Sequence, residues 1–290
     1  MRWERRDLVA KVQTYSASML RRELSLRGQR IARAEKLLHD LSPGGNPVVM
    51  FGRDEQGRHG NFHPASYQRI CASPEWSRRL TKVHTASRRV RARADWQWME
   101  LDSVNSSDAL LMNIFCHPQV FAGETLSPKV AQLLAVENKS QPCFGINPRV
   151  PLRNGRLDRT EIDMHLGDLF VEAKLTETGF QQAKPKLIER YRDFETVFDV
   201  SRLPWTPVGM VRGYQLIRNV LAAFASEAAF CVLCDARRQD LVEAWYAVMT
   251  AVQTPGFAWR LKLLTWQELA RVLPVELRDF LEMKYGILAG

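Results

Sequence analysis

The stretch 161-EIDMHLGDLFVEAK-174 decides how this sequence folds. Gly167-Asp168 divides it, and a glycine at the first position of a two-residue loop suits the type II′ turn of a β-hairpin. That loop sets Asp163 opposite Glu172 and Glu161 opposite Lys174. Strand alternation then sorts the side chains. One face carries Glu161, Asp163, His165, Phe170, Glu172 and Lys174. The other carries Ile162, Met164, Leu166, Leu169, Val171, Ala173 and Leu175, all apolar.

Two readings follow. In the first, the hairpin lies over a core with its polar face in water, and Glu161–Lys174 is a surface pair worth little. In the second, the polar face is a site. Like charges directly opposite destabilise a sheet, and a divalent cation with oxygen ligands would compensate the Asp163–Glu172 pair.

Outward from the hairpin, 143-CFGINPRV-150 reads as a third strand. Before it lie 106-SSDALLMNIFCH-117, an amphipathic helix with a serine cap, and 127-SPKVAQLLAVEN-138, a helix opened by Ser-Pro. After it come a polar helix over 180–198, a strong helix over 211–225 and a buried-type strand over 229–236. Helices over 238–252 and 266–284 close the chain. This order predicts an α/β domain with a mixed sheet over 105–290. Upstream, 4–41 reads as helix, with Leu8, Val12, Tyr15, Met19, Leu24, Ile31 and Leu38 on its apolar face and Gly28 as a break. A basic helix follows over 74–96.

Asp163, followed by Glu172-Ala173-Lys174 on the next strand, resembles the PD-(D/E)XK motif of the restriction-endonuclease-like nucleases. The order helix, three strands, helix, strand is similar to that superfamily's αβββαβ core. Together, 106-SSDALLMNIF-115, 161-EIDMHLGDLFVEAK-174, 213-GYQLIRN-219 and 230-FCVLCDA-236 resemble a bacterial group of restriction-endonuclease-like proteins. Ile162 stands where the motif's proline would be. The resemblance implies that Asp163, Glu172 and the Ala173 carbonyl bind Mg²⁺, with Mn²⁺ able to substitute. Lys174 would orient or deprotonate the attacking water and stabilise charge on phosphate. Gln215 would help position site and substrate.

Other residues carry two readings each. Glu137 is a further metal ligand or a residue at a helix end. Glu161 is a second carboxylate behind the metal or the partner of Lys174. Arg212, Gln215 and Asn219 form one helical stripe, which meets the phosphate backbone or water. Cys231 and Cys234, three apart on a strand, point to opposite faces and read as buried structural residues.

The chain has 290 residues and net charge +9. Residues 1–100 contain 20 Lys+Arg against 10 Asp+Glu, whereas the remainder contains 21 against 22. The basic excess therefore lies in the first third, where a polyanion would bind through counterion release. Arg88, Arg89, Arg91 and Arg93 are the expected phosphate contacts, and 1–104 reads as a basic helical region serving the 105–290 nuclease domain. There is no secretory signal, no membrane-spanning run and no Walker loop. Five irregularly spaced cysteines suit a reducing cytoplasm. The expectation is a cytoplasmic metal-dependent endonuclease acting on DNA, with RNA as the other candidate substrate. Double-strand cutting calls for two sites, which a homodimer would supply. The alternatives are a non-catalytic nucleic-acid-binding protein of the same fold and a helical scaffold whose hairpin is structural.

Overall fold

A computed structural model describes residues 14–42, 45–83 and 98–289. Helix α1 (Ala17–Ala34) is capped by Ser16, whose hydroxyl accepts the Met19 amide. It buries Leu20, Leu24, Gly28 and Ala32, spaced at four-residue steps, while Met19 is 49 % exposed. The apolar face is thus rotated from the expected one, and the helix stops well short of residue 41. After it, strand β1 (His39–Leu41) pairs antiparallel with β2 (Val49–Phe51). Gly28 is no break: a Cβ there would lie 3.0 Å from Val104 Cγ2, so the glycine lets α1 lie close against the chain at Val49 and Val104. Helix α2 (Pro64–Ala72) follows. The expected basic helix over 74–96 appears only as a helical turn at Pro74–Ser77 and a 3₁₀ turn at Arg78–Thr81, and its later part lies outside the described residues.

Helix α3 (Ser107–Phe115) has the predicted cap, Ser106, accepting the Ala109 amide. It is buried all round rather than amphipathic, as befits a helix in the middle of a core. Helix α4 (Pro128–Leu134) ends at Ala135, which is left-handed at φ +51°. Strands β3 (Pro142–Ile146), β4 (Ile162–Leu166) and β5 (Leu169–Ala173) come next, then helix α5 (Tyr214–Ala225), β6 (Ala229–Cys234), α6 (Gln239–Met249), β7 (Leu261–Thr265), α7 (Trp266–Ala270) and α8 (Val275–Tyr285). The sheet runs β7-β6-β5-β4-β3. The first three strands are parallel to one another, and β4 and β3 alternate antiparallel. It is a mixed α/β fold.

Two cores fill the two faces of this sheet. One gathers Met164, Leu166, Leu169, Val171, Ala173 and Cys231 with α3, α7, α8 and α1, so the described N-terminal segments pack onto the sheet itself. The other gathers Phe170, Phe230, Val232 and Cys234 with α5 and α6. Cys231 and Cys234 face opposite cores, and both thiols are free.

Two further segments differ from expectation. Instead of a helix, 180–198 holds a short strand, Gln182–Ala183, and two single turns, Pro185–Ile188 and Phe194–Val197. Phe180, Ile188, Tyr191, Phe194 and Phe198 are all buried there, so packing against the second core overrides the polar helical pattern. The C-terminal 266–284 is two helices, parted at Pro274, which lacks the amide an uninterrupted helix needs. Among the described residues, no helix is long and apolar enough to cross a membrane.

Candidate active site

The site forms where β4 and β5 separate. Their ladder pairs Leu166 with Leu169, His165 with Phe170 and Met164 with Val171, the register expected of a two-residue loop. Gly167 takes φ +64°, as the turn requires. Beyond Val171 the ladder ends, and the Ala173 amide donates instead to Asp163 Oδ2 at 2.8 Å. On the other side, the Lys174 amide donates to the Leu233 carbonyl of β6. Across a planar trans peptide the Ala173 carbonyl points the opposite way, toward β4 and Asp163.

Glu172 is fully buried on β5. Its Oε1 accepts from Lys174 Nζ at 2.7 Å and from Gln215 Nε2 at 2.6 Å. Its Oε2 accepts from Asn219 Nδ2 at 2.7 Å. Gln215 and Asn219 stand four residues apart on α5, so they share a helix face. That face is aimed by the helix start: Gly213, at φ +75°, comes where a Cβ would lie 2.7 Å from Val248 Cγ2, and the Gln215 amide donates to the Phe180 carbonyl.

Electrostatics separates the two ends of this set. Burial, the Glu172 carboxylate and Asp108 together raise Asp163 well above the usual carboxylate range. Burial works against the charge on Lys174, but Glu172, Glu177 and Asp163 outweigh it and raise its pKa. Lys174 is therefore an ammonium ion. Asp163 Oδ1 accepts no hydrogen bond among the described residues, and the Ala173 carbonyl is turned toward Asp163. An all-oxygen set with excess buried negative charge suits a hard divalent cation. Its three donors, two on Oε1 and one on Oε2, leave Glu172 one acceptor site on Oε2 for a cation.

A second charged cluster borders the first. Arg79 donates to Asp108 Oδ2 at 2.5 Å and to both oxygens of Glu161. Lys82 reaches Asp108 and Glu161 at 2.9 and 2.8 Å. Gly145, at φ +64°, makes room for this: a Cβ there would fall 1.9 Å from Arg79 Nη1. These cations hold Glu161 below the usual carboxylate range against the opposing effect of burial. Glu161 is thus the partner of Arg79 and Lys82, not of Lys174. Beside the strand end a cleft of about 790 Å³ opens, lined by Arg21, Arg22, Asn105, Ser107, Thr176 and Glu177. Glu177 accepts from Ser107 and from the Leu175 amide, which fixes the chain that follows Lys174.

The family model described as Restriction Endonuclease associating with ARP matches residues 28–286. The chain belongs to this family. No curated protein and no solved structure matches it. The family match runs from within α1 through α8, so the described N-terminal segments fall inside it along with the sheet.

Against that family assignment, Asp163, Glu172, Ala173, Lys174 and Gln215 come together as one constellation. Asn219 joins them: it is buried and its amide is committed to Glu172, which corrects its expected place on a phosphate-facing stripe. Arg212 leaves that stripe too. It lies on the short strand Val211–Arg212 ahead of α5, exposed. Glu137 is exposed beyond the end of α4. Its carbonyl accepts from Ser140, which packs beside Gly167 at the turn end of the hairpin, so Glu137 lies away from Asp163. Arg88, Arg89, Arg91 and Arg93 lie outside the described residues. Sequence reasoning missed Asp108, Arg79 and Lys82. The signal for Asp108 was present: it is the only charged residue of α3. Arg79 and Lys82 had none beyond their charge, since sequence spacing says nothing of a contact some eighty residues away.

Proposed function

We propose that this protein is a metal-dependent endonuclease of the PD-(D/E)XK type that hydrolyses phosphodiester bonds in DNA. The observation that supports this reading is the meeting of Asp163, Glu172 and Lys174 at the open end of the β4–β5 ladder. In this reading Asp163, Glu172 and the Ala173 carbonyl hold Mg²⁺ or Mn²⁺. The cation supplies Lewis acidity toward phosphate and lowers the pKa of a bound water. Lys174, charged, donates to a phosphate oxygen and aligns the attacking water rather than acting as a base. Water oxygen bonds to phosphorus, the bond to one ester oxygen breaks, and that oxygen leaves with a proton. Gln215 and Asn219 keep the Glu172 carboxylate oriented.

The substrate would lie along the cleft bordered by Arg21 and Arg22. Further phosphate contacts would come from Arg88, Arg89, Arg91, Arg93 and Arg212, with 1–104 helping to hold the duplex. A homodimer would supply two cutting sites. A reducing cytoplasm suits the five free cysteines.

The test is cleavage of plasmid and linear DNA, and of RNA, with Mg²⁺ or Mn²⁺, comparing the wild type with Lys174→Ala. Metal-dependent cutting that Lys174→Ala abolishes is the expected result. Cutting that survives the substitution overturns the site. Binding without cutting on any nucleic acid would replace the enzyme by a non-catalytic binding protein.

A further inference from the structure

On the α3/α8 side of the sheet, three elements converge. His63 precedes α2, His117 follows α3, and Glu276 stands in the first turn of α8. One ligand atom from each lies within 4.8 Å of the others. His63 Nε2 is 3.3 Å from Glu276 Oε1, and the two imidazole rings meet edge to face at 4.9 Å.

Two buried imidazole nitrogens here lack partners among the described residues. His117 is fully buried and its Nε2 has no hydrogen-bond partner, nor has His63 Nδ1. A buried unpaired imidazole nitrogen is costly and calls for an explanation. An imidazole nitrogen with its lone pair free is the form that binds metal.

We propose that His63, His117 and Glu276 form a Zn²⁺-class transition-metal site, separate from the nuclease centre, that fastens α8 to α2 and α3. Two imidazoles and one carboxylate are a nitrogen-rich set that suits Zn²⁺ better than Mg²⁺. Bonds of about 2.0–2.1 Å place tetrahedral ligands about 3.3 Å apart. The His63–Glu276 distance already meets this, and the Glu276 side chain, 64 % exposed, has room to adjust about the two rings. His63 and Glu276 also line a cavity of about 650 Å³, which gives a water access to the fourth position. The cost is local. His117 Nδ1 accepts the Gln119 amide at 3.3 Å. Metal on Nε2 moves the ring proton to Nδ1 and gives up that long contact.

The experiment uses the full chain carrying Asp163→Asn, which removes a ligand of the nuclease site, stripped with chelator and titrated with Co²⁺ and then Zn²⁺. The expected result is one equivalent of Co²⁺ with tetrahedral visible absorption, displaced by Zn²⁺, and a rise in Tm. Adding Glu276→Gln, at an exposed position that leaves folding intact, should weaken binding at least about tenfold, and adding His117→Gln should remove it. Absence of this absorption in Asp163→Asn overturns the proposal. So does binding that Glu276→Gln and His117→Gln leave unchanged.

Discussion

Lys174 and Lys284 are both buried, yet their surroundings treat them in opposite ways. Lys174 faces Glu172 at 2.7 Å with Asp163 and Glu177 nearby, and its pKa is raised. Among the described residues Lys284 has one close polar partner, the Gly60 carbonyl at 2.6 Å, and it lies 4.4 Å from the centre of the Phe51 ring. Burial, opposed only by Glu35, lowers it to about 7. Desolvation alone disfavours a charge, and only neighbouring opposite charge reverses the outcome. A lysine kept charged in a dry place next to two carboxylates is equipped to act on phosphate. A lysine allowed to become neutral beside aromatic rings fills space in a core.

The largest expected effect tests the source of that difference. Glu172→Ala strips Lys174 of its nearest countercharge and should cost about 3–5 kcal/mol of stability in urea unfolding, the cost of leaving a buried charge unpaired. A loss below about 1 kcal/mol would mean that water, not Glu172, keeps Lys174 charged. Next comes a matched pair. Lys174→Met should lower metal-dependent cleavage about 10²–10³-fold, the scale of losing one preorganised charge donor. Lys284→Met should leave it within about threefold, since Lys284 lies in the packing around α8. Equal losses in both variants would erase the distinction.

The third effect is in pH. The unfolded chain protonates Lys284 up to its ordinary value, while the folded protein resists above about 7. The unfolded state therefore binds more protons in this window, and stability rises with pH. Between pH 7 and 9 the gain is about 2–3 kcal/mol, at about 1.4 kcal/mol per unit, and below 7 it is lost. Denaturant unfolding of wild type and Lys284→Met at both pH values should show the slope in the first and lack it in the second. The smallest effect concerns the support of Glu172. Gln215→Ala removes one of three donors and should cost about 1 kcal/mol. It should also weaken cleavage less than Lys174→Met does.

The hairpin was legible because its information is local. A two-residue loop and strict alternation determine register and face, and the observed ladder follows them from Leu166 to Met164. The same holds for Ser106 as a cap and for the opposite facing of Cys231 and Cys234. Where packing competes with local pattern, the pattern misled. The 180–198 segment has polar helical spacing, yet its buried aromatic and aliphatic residues cover the second core as a loop with single turns. The β7 strand, Leu261–Thr265, is recognisable only through its parallel pairing with β6. Glu137 and Asp108 show the same contrast within the candidate site. Both are acidic residues near helices, and only the fold brings one of them beside Asp163.

By itself, then, the sequence determined which residues from Met164 to Val171 share a face, because strand periodicity is a property of the backbone; Ile162, expected on the face of Met164, packs instead in the core that holds Phe170. The tertiary structure alone decided what that face meets. Asn219 reaches Glu172 from a helix 47 residues on, and Arg79 claims Glu161 from 82 residues back. His63, His117 and Glu276 converge from three separate elements. Such contacts depend on how helices lie across a sheet, and that is settled by the burial of two apolar faces rather than by any spacing along the chain.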